Sequence, residues 1–292
     1  MRAAVLGAGV MGRNIAKVLV RGGHEVALYS RTERTLLDAG GALEREAHAQ
    51  ITYTTSIGEA ASDCQLVIES VPESLSLKVL VLREAESAAL AQTTIATNTS
   101  SLPLGRLAGA LGSPERFLGL HWFNPAHLIP LVEVVPTERT DPEVVSRVVA
   151  LLEELGKRPL ALSRPIEGFL ANRLQYALIR EALQLVHDGV ATPEQIDAVM
   201  TDCLGPRWAV LGPMRSTDLA GVPTAVAVAG ELFPVLSNAH EPQAPLTELL
   251  EAGRLGASTG AGFFTYADAD AVAHARDRLL SSVLAAVTEA KS

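Results

Sequence analysis

Apolar and polar positions fall into two regimes along the chain. Up to about residue 164, short continuous apolar runs alternate with segments of helical period. The strand-like runs are Ala3–Leu6, His24–Ser30, Cys64–Glu69, Thr94–Thr97, Phe117–His121 and Arg158–Leu162, with Ile51–Thr55 as strand or loop. Between them lie helical patterns over Asn14–Val20, Leu36–Ala47, Leu75–Ala91, Pro103–Leu111 and Asp141–Leu155, with a helix start at Ser56–Ala61. Unbroken apolar strands separated by amphipathic helices predict an α/β fold, a doubly wound parallel sheet of Rossmann type.

From Gly168 onward the strand signal is gone. Phe169–Val186 is one long helical pattern, Thr192-Pro-Glu-Gln195 caps the next helix, and alternation does not return. This predicts an α/β domain over 1–164 and an all-helical domain over 165–292. Leu170, Leu174, Leu178, Ala182 and Leu185 recur at helical spacing, as core or as subunit interface.

Composition narrows the class. The 292 residues are 48% hydrophobic and 20% charged, an ordinary globular balance. A formal net charge of −9 argues against nucleic acid, which needs a concentrated basic face. Cys64 and Cys203 stand far apart without CxxC spacing, so neither a metal site nor a disulfide framework is expected. No leader-like segment precedes the first strand and no apolar run is long enough to span a membrane, so the expectation is a cytoplasmic protein.

The chemistry is carried by a few stretches. Gly7-Ala-Gly9-Val10-Met11-Gly12 follows the first strand and opens a helix, the arrangement in which backbone amides receive a dinucleotide pyrophosphate. The second strand ends in Tyr29-Ser30-Arg31-Thr32, with Glu33 and Arg34 next. An acid is missing where NAD wants a ribose ligand, and a hydroxyl beside guanidinium groups suits a 2′-phosphate. NADP(H) is therefore expected as the preferred cofactor, with NAD(H) possible; the bland alternative makes Arg31 and Arg34 solvated loop charges and Glu33 the ribose ligand. Ser70, Val71, Pro72 and Glu73 follow another strand and belong to the site wall, and Asn98-Thr-Ser100-Ser101 lies at a further strand end.

His121 opens His121-Trp-Phe-Asn-Pro125, and Glu133 lies twelve positions later. A neutral imidazole can take a hydroxyl proton, and a carboxylate on its other nitrogen orients it and stabilises the cation. A lone His beside an apolar strand is more often structural. The glycine turn, the Asn98–Ser101 loop and Gly168-Phe-Leu-Ala-Asn-Arg173 together favour chemistry.

With these pieces in place, the whole chain resembles the 3-hydroxyacyl-CoA dehydrogenase family, in the order and spacing of the glycine turn, Glu69–Glu73 with Lys78, Asn98–Ser101, His121–Pro125, Glu133, Gly168–Arg173 and Gly260–Phe264. The resemblance implies a Rossmann domain followed by a helical, homodimerising domain. It implies His121 as general acid/base, Glu133 as its orienting carboxylate, Ser100 and Asn172 around the reacting oxygen, and Glu73, Lys78, Asn98 and Asn124 near the cofactor.

Two departures bear on the substrate. Acyl-CoA members of the family carry a long helical hairpin after the second strand, whereas Thr32–Gln50 is too short for two full helices. Gly205-Pro-Arg207-Trp208-Ala-Val-Leu-Gly-Pro213 replaces a shorter Gly-Pro turn and looks more like the branch that oxidises free hydroxy acids, among them L-gulonate, carnitine and pyridoxal-derived substrates. Arg207 and Trp208 could meet a carboxylate or ring there, or be a surface Arg and a packed Trp. The expected substrate is a small hydroxy or keto acid, or its thioester. The alternatives are an acyl-CoA enzyme with a trimmed arm and an inactive dinucleotide-binding protein with a structural role. A phosphogluconate-type enzyme is set aside, because the long helical segment after Gly168 has no Lys.

Overall fold

The computed structural model describes residues 1–42 and 50–290. The chain divides into two compact units, Met1–Asn172 and Arg173–Ser292.

The first unit is built on an eight-stranded sheet with the order β3-β2-β1-β4-β5-β6-β7-β8. The strands are β1 (Arg2–Leu6), β2 (Glu25–Tyr29), β3 (Ile51–Thr54), β4 (Leu66–Glu69), β5 (Thr94–Thr97), β6 (Phe117–Trp122), β7 (Leu131–Pro136) and β8 (Arg158–Ala161). All neighbours pair in parallel except β6 and β7, which pair antiparallel. Around them lie α1 (Val10–Arg21), α2 (Glu33–Ala42), α3 (Ile57–Ala61), α4 (Leu75–Ala88), α5 (Leu104–Ala108) and α6 (Pro142–Glu154).

Both sheet faces are buried, which is why the strands read as unbroken apolar runs. Ala3 and Val5 join the core with Ile15 and Leu19 of α1 and Val148 of α6. Ala4 and Leu6, one residue out of phase, join Val67, Val81 and Ala85 on the other face. Ile15 and Leu19, four apart on α1, are fully buried; truncating Leu19 to Ala would cost about 2–5 kcal/mol.

Local signals set the helix ends. Asp141 caps α6 by accepting the Glu143 amide, with Pro142 in the first turn, and Gly156 follows at φ 72°. The helix expected over Leu36–Ala47 begins earlier, at Glu33. Its expected end at Ala47, and the expectation of no second helix before Gln50, fall on residues 43–49, which lie outside the described residues. Strand order reverses at β1, whose neighbours are β2 and β4, so the crevice for a ligand opens at the carboxyl ends of β1 and β4.

The helix α7 (Ala171–His187) runs out of the first unit into the second. The second unit continues with α8 (Pro193–Val199), a π turn over Met200–Leu204, α9 (Gly205–Ala220), α10 (Val222–Leu232), α11 (Ala244–Glu251) and α12 (Ala269–Glu289). Thr192 and Gln195 form a reciprocal capping box at α8, and α9 is broken at Gly212, whose φ is 74°.

No residue of α8–α12 is buried in the single chain. Met214, Leu219, Phe233 and Val235 are each more than 70% exposed. Leu174 and Leu178, read from the sequence as core or interface, are exposed as well, so core is excluded for them in one copy. Among the described residues no single helix is long and apolar enough to cross a membrane, although the bent pair Pro193–Ala220 and Val222–Val235 passes that test together by length and composition.

Candidate active site

The glycine turn fits a dinucleotide by exclusion. A Cβ on Gly7, whose φ is 128°, would lie 2.4 Å from the Ser70 carbonyl oxygen, and one on Gly12 would lie 1.7 Å from that of Gly7. These glycines let turn, strand and helix close on each other. A Cβ on Gly9 would meet nothing within 4 Å. Gly9 is also the N-cap of α1, with no side-chain cap and no acid in the first turn, so the free amides and the open space suit a phosphate. Val10 is exposed and Met11 half-buried beside this turn.

At the end of β2, Ser30 is buried and its amide donates to Thr54 O. Arg31 and Arg34 are exposed, as is Glu33 at the start of α2.

The ends of β4 and β5 are tied by a buried polar network. Glu69 Oε1 accepts from Lys78 Nζ at 2.7 Å and from the Val71 amide at 2.6 Å, while Oε2 accepts from Thr97 Oγ1 at 2.5 Å. Both Glu69 and Lys78 are shut off from solvent. Burial pushes the Glu69 carboxyl up, against the pull of Lys78 and its other donors. Lys78 also donates to Val71 O at 3.0 Å and lies 3.4 Å from Glu73 Oε2, so its ammonium is held inside the protein.

Glu73 Oε1 in turn accepts from Thr99 Oγ1 at 2.6 Å and from the Ser100 and Ser101 amides at 3.0 Å. Burial opposes ionisation of Glu73, but the Thr99 hydroxyl, Lys78 and the loop donors outweigh it and bring its pKa down to about 2. The carboxylate therefore shapes the Thr99–Ser101 loop. Asn98 completes the frame: its Oδ1 accepts the Trp122 amide at 3.0 Å, and its Nδ2 faces Ser70 Oγ at 3.5 Å.

His121 and Glu133 face each other across the antiparallel β6–β7 pair, in register. His121 Nδ1 lies 2.7 Å from Glu133 Oε2. The other carboxylate oxygen accepts the amides of Leu170 at 3.0 Å and Ala171 at 2.8 Å, where α7 begins. Burial alone would raise the Glu133 pKa; the bond with His121 and these two amides prevail and lower it. A carboxylate only accepts, so Nδ1 carries a proton, and in a neutral imidazole held this way Nε2 is the acceptor. Phe123 lies edge-on to the imidazole with ring centroids 4.5 Å apart. Asn172 Nδ2 donates to Ser100 O at 3.1 Å, joining the start of α7 to the Ser100 loop.

Of the residues singled out from the sequence, His121, Glu133, Ser100, Asn172, Glu73, Lys78 and Asn98 thus belong to one bonded frame in the first unit. Val71 enters it through its amide and carbonyl, with Pro72 next in the same wall. Asn124 is exposed at the head of the β6–β7 loop, joined to Pro125 by a cis bond. Arg207 and Trp208 lie on α9 of the second unit, both exposed. Sequence reasoning assigned no role to Glu69 and Thr97, and expected the Thr99 hydroxyl to face a ligand, whereas it donates to Glu73. The available signal was a carboxylate and a hydroxyl closing two otherwise apolar strands, Glu69 on β4 and Thr97 on β5.

Two family models match the chain: the NAD binding domain of 3-hydroxyacyl-CoA dehydrogenase over residues 2–164, and the C-terminal domain of 3-hydroxyacyl-CoA dehydrogenase over residues 168–266. The chain belongs to the 3-hydroxyacyl-CoA dehydrogenase family. It is an oxidoreductase acting on CH–OH, on hydroxy acids or CoA esters, with a nicotinamide dinucleotide. It is 36% identical over 277 residues to a 5-formyl-3-hydroxy-2-methylpyridine 4-carboxylate 5-dehydrogenase of Mesorhizobium japonicum, covering 90% of each chain. It is 35% identical over 286 residues to a 3-hydroxybutyryl-CoA dehydrogenase of Mycobacterium tuberculosis, covering 91% of this chain and 98% of the other. Among solved structures it superposes with a TM-score of 0.94, at 33% identity and 98% coverage of both chains, on a 5-formyl-3-hydroxy-2-methylpyridine 4-carboxylic acid 5-dehydrogenase described as an NAD+ dependent dismutase.

Proposed function

We propose that the protein transfers a hydride between NADP(H) and a small 3-hydroxy or 3-oxo acid, or its thioester, with His121 and Glu133 as the acid/base pair. The observation that carries this reading is the buried 2.7 Å contact between His121 Nδ1 and Glu133 Oε2, which leaves Nε2 as an acceptor. When bound, the nicotinamide supplies the hydride acceptor or donor. In oxidation, His121 Nε2 takes the substrate's hydroxyl proton and Glu133 holds the resulting imidazolium. Ser100 Oγ and the Asn172 amide steady the oxygen as it becomes a carbonyl. In reduction His121 returns the proton. Glu73, Lys78 and Asn98 act by holding the loops at the ends of β4 and β5, with Asn124 at the cofactor's edge.

NADP(H) is favoured over NAD(H) by the exposed Arg31 and Arg34 beside Ser30, and by the lack of an acid at the end of β2. A free acid is favoured by the relative named for a pyridine carboxylate and by others named L-carnitine dehydrogenase. Arg207 and Trp208 are the candidates to recognise its carboxylate or ring. The second reading, an acyl-CoA enzyme, is favoured by the near full-length match to a 3-hydroxybutyryl-CoA dehydrogenase. The bare helices of the second unit support a homodimer: α10 exposes Val222, Val226, Val228 and Leu232 and has no buried residue, so a second copy is the cover it lacks.

The test is NADPH and NADH oxidation with acetoacetyl-CoA and with acetoacetate, on the wild type, His121→Ala and Arg31→Ala. NADPH-dependent turnover lost in His121→Ala, with NADPH affinity lost in Arg31→Ala, supports the proposal. Turnover of the CoA ester alone selects the second reading. Unchanged turnover in His121→Ala removes the acid/base pair, and dinucleotide binding without turnover of any ketone selects a binding role. Sedimentation of the full chain reads the dimer, and co-flotation with vesicles would instead assign the apolar helices to a membrane.

A further inference from the structure

Among the described residues, two that are not glycine have positive φ: Asp63 at 57° and Phe169 at 50°. Aspartate tolerates the left-handed region through its short polar side chain; a phenylalanine does not, and one held there points to a constraint imposed by its surroundings. Phe169 follows Gly168, itself at φ 74°, and is only 2% exposed. It belongs to a buried apolar cluster that also holds Leu82, Ile95, Leu104, Leu107, Phe117 and Val135. Its ring centroid also lies 5.3 Å from that of His121.

The left-handed turn has a definite product. Directly after it, the Leu170 and Ala171 amides converge on Glu133 Oε1, the carboxylate oxygen that His121 does not use. An extended or right-handed Phe169 would send those amides elsewhere. The buried ring is what offsets the unfavourable backbone, so ring packing and amide direction are one device.

We propose that Phe169 is a positioning residue for the proposed acid/base pair, its packed ring locking a left-handed turn that aims two amides at Glu133 while walling one side of His121. This rests on the reading of His121 and Glu133 given above. Phe169 acts through Glu133, by the direction it gives the Leu170 and Ala171 amides.

The test is proton and nitrogen NMR of the full chain labelled with 15N-histidine, following the His121 Nδ1 proton, assigned by its disappearance in His121→Ala. Phe169→Leu and Phe169→Met keep an apolar side chain without the ring, and Leu107→Ala loosens the same cluster away from the pair. Thermal melts establish that each variant is folded, so that either Phe169 variant can serve. The expected result is a downfield Nδ1 proton in wild type and Leu107→Ala that is lost or exchange-broadened in the Phe169 variants. A resonance unmoved in the folded Phe169 variants, or lost equally in Leu107→Ala, overturns the proposal. Absence of the resonance in the wild type would instead refute the His121–Glu133 pair itself.

Discussion

Glu133 stands opposite His121 in the β6–β7 ladder and divides its two oxygens, one to the imidazole and one to the amides at the start of α7. That division decides what Glu133→Gln would do. The two amides need an acceptor, so the glutamine oxygen turns to them and its NH2 faces His121 Nδ1. A donor there makes Nδ1 the acceptor and moves the proton to Nε2, the wrong tautomer for accepting a hydroxyl proton. We expect kcat for oxidation to fall roughly 100-fold or more in this variant, with dinucleotide affinity preserved. Steady-state kinetics beside direct binding measure both; an unchanged kcat would refute the orienting role.

Much of this site is legible in the sequence because it sits at strand ends. Periodicity places the strands, and the motif residues then fall where ligands bind in a wound sheet. The hairpin relation of His121 to Glu133 is not legible, since a spacing of twelve fits many connections and only the antiparallel pairing of β6 and β7 puts them face to face. Lys78 is placed near the cofactor by the family resemblance alone. Its burial against Glu69 depends on a contact nine residues back that no periodicity records. In the second unit the helical pattern is clear, but periodicity alone does not distinguish a face covered by the same chain from one such as Met214 or Val226, which a single copy leaves bare.

The glycines of the turn predict a contrast. Gly12→Ala would drive a methyl into the Gly7 carbonyl and should lower the melting temperature sharply, since neither backbone segment can retreat without opening the strand–helix junction. Gly9→Ala meets no protein atom. It should melt like the wild type while filling the space next to the α1 amides, weakening dinucleotide binding by roughly tenfold or more. Paired melts and fluorescence titrations with NADPH and NADH separate these effects; a Gly9→Ala protein that binds as tightly as wild type would move the pyrophosphate elsewhere.

Glu73 should make stability pH-dependent on the acid side. Its folded pKa of about 2 lies below the usual glutamate range, so the unfolded chain takes up the proton first. The contribution is fully present above the usual range and is lost as pH falls from about 4.5 towards 2. With the side chain still 36% exposed, solvent screening reduces the effect to about 1–2 kcal/mol. Glu73→Gln should therefore lose stability at pH 7 and converge with wild type near pH 2. Urea unfolding across that range reads the difference, and a constant gap would contradict the assignment.

Lys157 predicts the opposite limb. Its ammonium is buried and donates to the carbonyls of Ala126 at 2.7 Å and Ile129 at 2.9 Å, closing the β6–β7 loop that contains Asn124. Burial brings its pKa down to about 8, below the unfolded value, so the fold disfavours the charged form. The favourable contribution is present at high pH and is lost as pH falls through about 8. Lys157→Met leaves both carbonyls without that donor, at about 1–3 kcal/mol each if water does not replace it, but it also removes the buried charge. Relative to this variant, the wild type should gain stability as pH rises from about 8 to 10, the reverse of the usual loss of a lysine ion pair. Denaturant unfolding of both proteins at pH 7, 8.5 and 10 tests it. A wild-type advantage that shrinks with pH would mean that Lys157 is held as a stabilised cation.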